Sequence, residues 1–301
     1  MSKNIFLILL MLPAWSFALP QERLNAKQVL TELPKSAKRS LTTAFSKEAV
    51  GPWLWIGGTT ALTYKYDEEM LADAKRLGRK WDIPEDDKTE AKIKFAGQDI
   101  LRLPTDKGSA LYFLGDGWMH TAVGGGFLAT GKLTDSTRPV NTGYEIFHGM
   151  FLSTIFNQAL KRSFGRESPK QSSQARGKWR FFPNPKKYSA NTEKYDAMPS
   201  GHLMTATMTF TVIAGNYPEY KYWIYPLQAI WSAALSFQMM NNGVHWASDY
   251  PLGFAMGLLY GHTALHMGEA EDEKGQETVA KVHYYPSFSE EGTLLNAAYY
   301  F

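Results

Sequence analysis

The sequence contains no cysteine. Disulfide bonds are therefore excluded as a source of stability, and so is a lipid anchor attached through a cysteine. A strong charge of either sign is absent as well: 32 basic and 29 acidic residues give a net charge of +3. Nucleic-acid-binding proteins usually carry a marked basic excess on one face. We therefore expect no nucleic-acid partner.

Long apolar runs without interruption are also lacking. The best candidate for a membrane span, residues 222–240, is uncharged over 19 residues but contains Pro226 and two glutamines. A second uncharged stretch, 251–267, is interrupted by three glycines and two histidines. Buried helices of an all-α protein have a similar composition. With a mean hydropathy of −0.31, the chain is predicted to be a soluble exported protein rather than an integral one.

The beginning of the chain has the three parts of a secretory signal peptide. Lys3 precedes the apolar run 5–12, and small residues stand at Ser16 and Ala18. This pattern predicts cleavage after Ala18 and a periplasmic location, since the apolar run is too short for a comfortable membrane span. The alternative is an uncleaved membrane anchor.

Most of the remaining chain has helical character. Residues 19–50 are polar and predict a short helix or an ordered arm. The apolar stretch 51–66 predicts the first core helix, and the charged stretch 67–97 predicts a helix followed by a loop. Further helices are predicted at 110–132, 143–164, 201–214, 221–240 and 244–267. The fold class is therefore all-α, a helical bundle.

Two segments depart from this helical pattern. Residues 165–198 are rich in Pro, Ser, Lys and Asn, and a loop of this length is usually functional or disordered. The tail instead alternates like paired strands and predicts a short C-terminal β-hairpin. The predicted organisation is a signal peptide at 1–18, a helical region at 19–104, a catalytic core at 105–267, and an acidic linker with a hairpin at 268–301.

The stretch Pro199-Ser200-Gly201-His202 stands at the head of a predicted helix. Backbone N–H groups at a helix N-terminus attract anions, and a glycine there lets a phosphate approach the backbone closely. The simpler interpretation is that Ser200 only caps the helix.

Two other stretches carry groups suited to phosphate chemistry. His245 and Asp249 are four residues apart and would share one face of a helix, where a carboxylate can orient an imidazole. Lys161 offers a compact positive charge for phosphate oxygens. Alone, the His-Asp pair is more often a surface or capping contact, and a lysine at a helix end more often a dipole partner. The three stretches together, in this order along one chain, are a more specific signal of phosphate chemistry than any one of them alone.

Together these stretches resemble the three signature motifs of the type 2 phosphatidic acid phosphatase superfamily, which includes bacterial acid phosphatases and vanadium haloperoxidases. They are "KRSFGRESP" from Lys161, "PSGH" from Pro199 and "HWASD" from His245. The family pattern is Lys, six residues, Arg-Pro; then Pro-Ser-Gly-His; then Ser-Arg, five residues, His, three residues, Asp. The resemblance covers about residues 105–267.

The resemblance implies a role for each matching residue. His245 would be the nucleophile that forms a phosphohistidine, and Asp249 would orient it. His202 would protonate the leaving alkoxide and then activate water. Lys161, Ser200 and the amide of Gly201 would bind the phosphate oxygens. This chemistry needs no metal and no cofactor.

Two arginines of the family pattern are replaced. Ser168 stands where the first motif has Arg, and Met239 stands where the third motif has Arg. Loss of one donor to transition-state charge can lower the rate by about 10²–10³. Arg166 is the predicted replacement, because Gly165-Arg166 matches a Gly-Arg pair often seen inside the first motif. The other candidates are Arg138, Arg162, Arg176, Lys178 and Arg180.

The leading hypothesis is an exported phosphatase that hydrolyses a phosphate monoester or a lipid phosphate. The expected partner is then the phosphate ester or lipid phosphate that serves as substrate. Such a protein could also contact a membrane surface. The sequence does not specify the oligomeric state. A second hypothesis is a weakened or inactive member that binds a phosphate-bearing envelope lipid. A third is a vanadate-dependent haloperoxidase, which the loss of the two arginines disfavours.

Overall fold

The computed structural model describes residues 22–95, 98–269, 281–289 and 292–300. The predicted signal peptide therefore lies outside the described residues. The helices are α1 Gln28–Thr31, α2 Leu33–Ala44, α3 Val50–Lys65, α4 Asp67–Lys80, α5 Lys107–Phe113, α6 Gly117–Leu133, α7 Thr137–Phe164, α8 Pro185–Ala190, α9 Gly201–Asn216, α10 Lys221–Asn241 and α11 Tyr250–Leu265. The strands are β1 Thr89–Phe95, β2 Gln98–Pro104, β3 Lys281–Ser289 and β4 Gly292–Tyr300.

The core lies between α7, α9 and α11. Met204 and Met208 of α9 are buried against Ile146 and Leu152 of α7 and Met256 of α11. Helix α9 is buried on almost every side, which explains why its sequence is apolar or small all round rather than amphipathic. Helix α10 covers a second, smaller apolar cluster on α9. Because α9 is central, its N-terminus is held firmly by the helices around it.

Helix α11 lies unusually close to α9. Glycines at 253, 257 and 261 face it, and a Cβ at Gly253 would lie 2.6 Å from the carbonyl oxygen of Ser200. Any larger side chain there would push the two helices apart. The glycine therefore keeps the start of α11 against the start of α9, where the predicted motifs meet.

The all-α fold class is confirmed, with a helical bundle as the body of the protein. The predicted C-terminal hairpin is present as the antiparallel pair β3–β4, with Lys281 opposite Tyr300. The apolar segment predicted as one helix at 110–132 is divided into α5 and α6. Asp106 caps the first of these helices and Asp116 caps the second.

Two sequence predictions were wrong in this body. The loop expected after α4 contains the antiparallel hairpin β1–β2, with Thr89 opposite Pro104. Charged and apolar residues alternate in β1, from Glu90 to Lys94, whereas β2 has no regular alternation. The helix expected at 244–267 begins only at Tyr250, because residues 244–249 form a turn that ends in a short 3-10 helix.

The long polar segment 165–198 is ordered around buried charges. Arg166 and Glu167 have no exposed surface. Glu167 accepts hydrogen bonds from the backbone N–H groups of Ser173 and Lys178, both at 2.9 Å. A buried carboxylate needs such donors, and these fix the path of the segment.

Among the helices of the described ranges, none is both long enough and apolar enough to cross a membrane.

Candidate active site

Backbone hydrogen bonds join the three predicted motifs. The N–H of Ala197 donates to the carbonyl of Arg166 at 3.1 Å, and the N–H of Ser200 donates to the carbonyl of Asp249 at 3.1 Å. Nδ1 of His245 lies 2.6 Å from the carbonyl oxygen of Ala197. Segments far apart along the chain therefore meet at the N-terminus of α9.

His245 lies in the turn between α10 and α11 and is almost fully buried. Since a carbonyl oxygen can only accept, the contact with Ala197 assigns the proton to Nδ1. The backbone N–H of His245 donates to the carbonyl of Met239 at 3.1 Å, which fixes the base of the side chain. Nε2 is then the unprotonated nitrogen, with a lone pair available for attack on phosphorus.

Asp249 approaches His245 through a turn rather than along a helix face. Its Oδ2 lies 3.5 Å from Nδ1 of His245 and accepts a hydrogen bond of 2.8 Å from the N–H of Trp246. The helical i,i+4 geometry expected from the sequence is wrong, because the turn precedes α11. The carboxylate still lies on the Nδ1 side of the ring, where its charge favours an imidazolium.

The guanidinium of Arg166 is the centre of a buried hydrogen-bond network. Its Nη1 donates to Asp249 Oδ1 at 2.6 Å and to Ser248 Oγ at 2.7 Å. Its Nη2 donates to Asp67 Oδ2 at 2.7 Å, and Nη2 and Nε both donate to the carbonyl of Arg176. All five N–H groups of the guanidinium are used in this way. Arg166 thus holds Asp249 in place, and its assignment to phosphate binding stays a prediction.

Asp67 completes this buried network, and sequence reasoning missed it. It is the first residue of α4, has no exposed surface, and accepts from both the N–H and the hydroxyl of Ser248, at 2.9 and 2.6 Å. Burial raises the pKa of Asp67, while Ser248 and Arg166 oppose that rise. An acidic residue at a helix start reads as an ordinary cap, so no local signal reveals this role.

His202 lies in the first turn of α9 and faces His245. The centroids of the two rings are 6.5 Å apart, and the ring of Tyr112 packs on His202 with a centroid distance of 4.4 Å. Burial and, to a smaller extent, the nearby His245, Lys161 and His120 together lower the pKa of His202 to about 3. His202 is therefore neutral in the free protein at ordinary pH.

The remaining predicted phosphate ligands surround the same point. Lys161, near the end of α7, is 8 % exposed and its Nζ lies 3.6 Å from Asp196 Oδ2. Its positive charge contributes to the lowered pKa of His202. Ser200 is the N-cap of α9, with its Oγ accepting from the N–H of Leu203 at 3.4 Å. Ser200 therefore caps the helix, and its role in phosphate binding stays a prediction.

Asn157 is a second residue that sequence reasoning missed. It is 2 % exposed, lies one helical turn before Lys161 on α7, and a Cβ at Gly201 would lie 3.4 Å from its Nδ2. Its Nδ2 contacts only the sulfur of Met204, at 3.4 Å, and its Oδ1 has no hydrogen-bond partner. Buried amides are normally satisfied, so this one is suited to meet a ligand at the start of α9.

The two residues that replace the arginines of the family pattern have different surroundings. Met239 is fully buried with its sulfur 3.7 Å from Ser200 Oγ, so an apolar thioether lies beside the N-terminal turn of α9. Ser168 is 1 % exposed and its Oγ has no partner. Other cations considered as replacements have different contacts: Arg138 with Glu219, Arg162 with Gln158, Arg176 with the ring of Tyr64, and Arg180 with Glu167. Lys178 is exposed.

The geometry unites two imidazoles, a buried ammonium and a helix N-terminus. Such an arrangement can attract an anion, attack it from one side and move a proton on the other. A family model described as the PAP2 superfamily matches residues 144–272, which include Lys161, the turn before α9, and the His245–Asp249 turn. No curated protein and no solved structure matches the chain.

Proposed function

Because this chain belongs to the PAP2 superfamily, the type 2 phosphatidic acid phosphatases, whose members generally hydrolyse phosphate esters, we propose that it is a phosphatase working through a phosphohistidine on His245. The observation that supports this most is the approach of the His202 and His245 rings to 6.5 Å, with the charge of Lys161 acting on His202. A phosphoryl group between two such rings has a nucleophile on one side and a proton carrier on the other.

In the first step, Nε2 of His245 attacks phosphorus while the ester P–O bond breaks. The positive charge that develops on the ring is stabilised by Asp249, and the contact of Nδ1 with Ala197 keeps the ring in place. Arg166 contributes indirectly, because it fixes Asp249 Oδ1. The departing oxygen takes a proton and leaves as an alcohol.

The proton is delivered through His202. In the free protein His202 is neutral, so a substrate that binds as its monoanion would bring this proton with it. In the second step, His202 accepts a proton from water while the water oxygen attacks phosphorus. The P–N bond to His245 breaks, and inorganic phosphate leaves.

The phosphate oxygens are held by fewer cations than the family pattern provides. Lys161 supplies a charge, and the N–H groups of the first turn of α9, including that of Gly201, supply donors. The Nδ2 of Asn157 is placed to add a further hydrogen bond. These donors act where charge develops in the transition state, which is where they lower the barrier.

The substrate follows from the location that the N-terminal pattern predicts. An exported phosphatase would meet phosphate esters and lipid phosphates of the cell envelope. Release of the mature chain into a periplasmic fraction, with an N-terminus after Ala18, is the expected result. Recovery only from membranes after a detergent wash would contradict a soluble exported protein.

The test of activity is phosphate release from a panel of monoesters by the purified protein. His245→Ala is expected to abolish turnover, and His202→Asn to lower it by about 10²–10⁴. The control is His148→Asn, which alters another buried histidine, one that contacts Val29 and Ser36. Trapping of acid-labile, base-stable protein-bound phosphate in the wild type, but not in His245→Ala, identifies the intermediate.

A second candidate is a protein that binds a phosphate-bearing envelope lipid without hydrolysing it. The buried Met239 beside Ser200, in place of an arginine, favours this function. It predicts saturable binding of a lipid phosphate that is kept in His245→Ala, with no phosphate release by the wild type. Turnover that depends on His245 excludes it.

A further inference from the structure

A cavity of about 290 Å³ lies beside the candidate active site, between the β1–β2 hairpin and the α5–α6 turn. Its walls come from residues 87–118, all of which precede the matched range 144–272. The cavity is therefore built by the part of this chain that the family model does not cover. It has no role in the chemistry described above.

The α5–α6 turn presses directly against His202. A Cβ at Gly115 would lie only 2.5 Å from the Cβ of His202, so this turn can carry no side chain at that position. The turn is held by two bonds to the carbonyl of Leu114, from the indole of Trp231 at 2.9 Å and from His120 at 3.1 Å. Tyr112 then forms a shared wall, because its ring packs on His202 and also lines the cavity.

The position of the cavity next to His202 determines which part of a substrate would enter it. Phosphorus would lie between the two histidines, with the leaving group on the side of His202, its proton carrier. A group that extends past His202 meets Tyr112 and the cavity. The volume is at the lower end of the usual range for small-molecule pockets, about 300–1,000 Å³, so it suits one compact group.

The lining combines flat aromatic faces with hydrogen-bond acceptors. Phe113 and Trp118 provide apolar faces, and Trp118 is 43 % exposed. Asp87 and Asp116 provide carboxylates, and burial together with the charge of Asp116 raises the pKa of Asp87. A third lining acid, Asp99, is already paired with a cation.

We propose that this cavity is a leaving-group subsite for a compact polyhydroxylated group such as a sugar. Hydroxyl groups donate well to carboxylates such as Asp87 and Asp116, whereas the C–H face of a sugar ring packs on aromatic rings such as Trp118. An alkyl chain would offer these carboxylates no hydrogen-bond donor. The inference rests on the proposed phosphatase function and specifies which phosphate monoesters it prefers.

The test compares two five-carbon substrates with primary alcohol leaving groups, ribose 5-phosphate and n-pentyl phosphate. The wild type is expected to show a kcat/KM roughly tenfold higher for ribose 5-phosphate, as a hydrogen bond to a charged group allows. Asp87→Ala is expected to remove that preference and to leave pentyl phosphate turnover within about twofold. The matched control is Asp86→Ala, which removes the adjacent carboxylate, paired with Lys88 and outside the cavity lining.

Binding to the His245→Ala variant supplies a readout that needs no turnover. Calorimetry should show ribose 5-phosphate binding tighter than pentyl phosphate, and the further substitution Trp118→Ala should remove the difference. Equal affinity of the two ligands would overturn the subsite, as would a loss of both activities in Asp87→Ala. Failure of the wild type to hydrolyse any monoester, with this affinity difference intact, would overturn only the phosphatase function.

Discussion

Nη1 of Arg166 lies 2.6 Å from Oδ1 of Asp249, and both side chains are fully buried. The guanidinium also binds Asp67 at 2.7 Å, so one cation lies between two carboxylates from distant parts of the chain. A buried charge without a partner is far more costly than the pair. The network therefore couples the integrity of the fold to the position of the carboxylate behind His245.

Arg166→Lys should lower both stability and turnover. A lysine cannot reproduce five donors in one plane, and breaking a buried pair costs about 3–5 kcal/mol. Urea unfolding should show this loss, and kcat should fall because Asp249 is no longer fixed. Arg162→Lys is the control, since Arg162 is exposed and its change should stay within about 0.5 kcal/mol. A raised KM with unchanged unfolding would instead indicate that Arg166 binds phosphate.

Met239→Arg should lower the Tm of the protein in the absence of phosphate. It should also increase the rise in Tm when phosphate is added. The arginine would enter a buried apolar cluster beside Ser200, where a charge without a partner is unfavourable. A bound phosphate would supply the partner and add about 2.7 kcal/mol at a hundredfold excess over its Kd. The measurement is the Tm with and without inorganic phosphate, with Met239→Leu as the control. Equal Tm shifts in both variants would disprove a phosphate beside residue 239.

His202 should remain neutral between pH 5 and 8 in the free protein. Burial and the charges of His245 and Lys161 lower its pKa to about 3, well below the ordinary 6.5. Nitrogen NMR of labelled histidine, assigned with His202→Asn, measures this directly. A bound oxyanion such as vanadate should raise the pKa of His202, because the negative charge favours an imidazolium. A titration near pH 6.5 without ligand would contradict the buried position.

Glu145→Gln should stabilise the protein more at pH 8 than at pH 5. Burial raises the pKa of Glu145 from 4.5 to about 8, although Asn216 donates a hydrogen bond to it. The folded state therefore binds more protons than the unfolded state between those two values, and the stability from this group falls as pH rises through them. Glutamine resembles the protonated acid and avoids that loss. Equal gains in Tm at the two pH values would disprove the raised pKa.

Much of the fold could be predicted from the sequence because it is encoded locally. The apolar stretches that predicted helices at 143–164, 201–214 and 221–240 are long enough for several helical turns, and the structure places α7, α9 and α10 there. The sequence does not predict the start of α11, since an apolar run alone does not show where a helix begins. The hairpin at Thr89–Pro104 is not predicted either, because its strands are short and β2 lacks a regular hydrophobic alternation.

The residues of the candidate site, too, could be predicted only in part. Its reactive groups, His202, His245 and Lys161, could be predicted because their spacing and order form a pattern along the chain. Asn157 and Asp67 could not, because neither stands in a pattern that distinguishes it from an ordinary helical residue. Their importance comes from what packs against them.

The sequence alone predicts the helical class and the three motifs, since apolar helical segments and motif spacing are properties of residues that lie near each other along the chain. Only the packed chain shows that Arg166 binds Asp67, 99 residues away. It also brings a hairpin and a turn together around a cavity next to His202. Contacts of this kind arise when distant segments bury charge and apolar surface against each other, and no local pattern records which partners they will find.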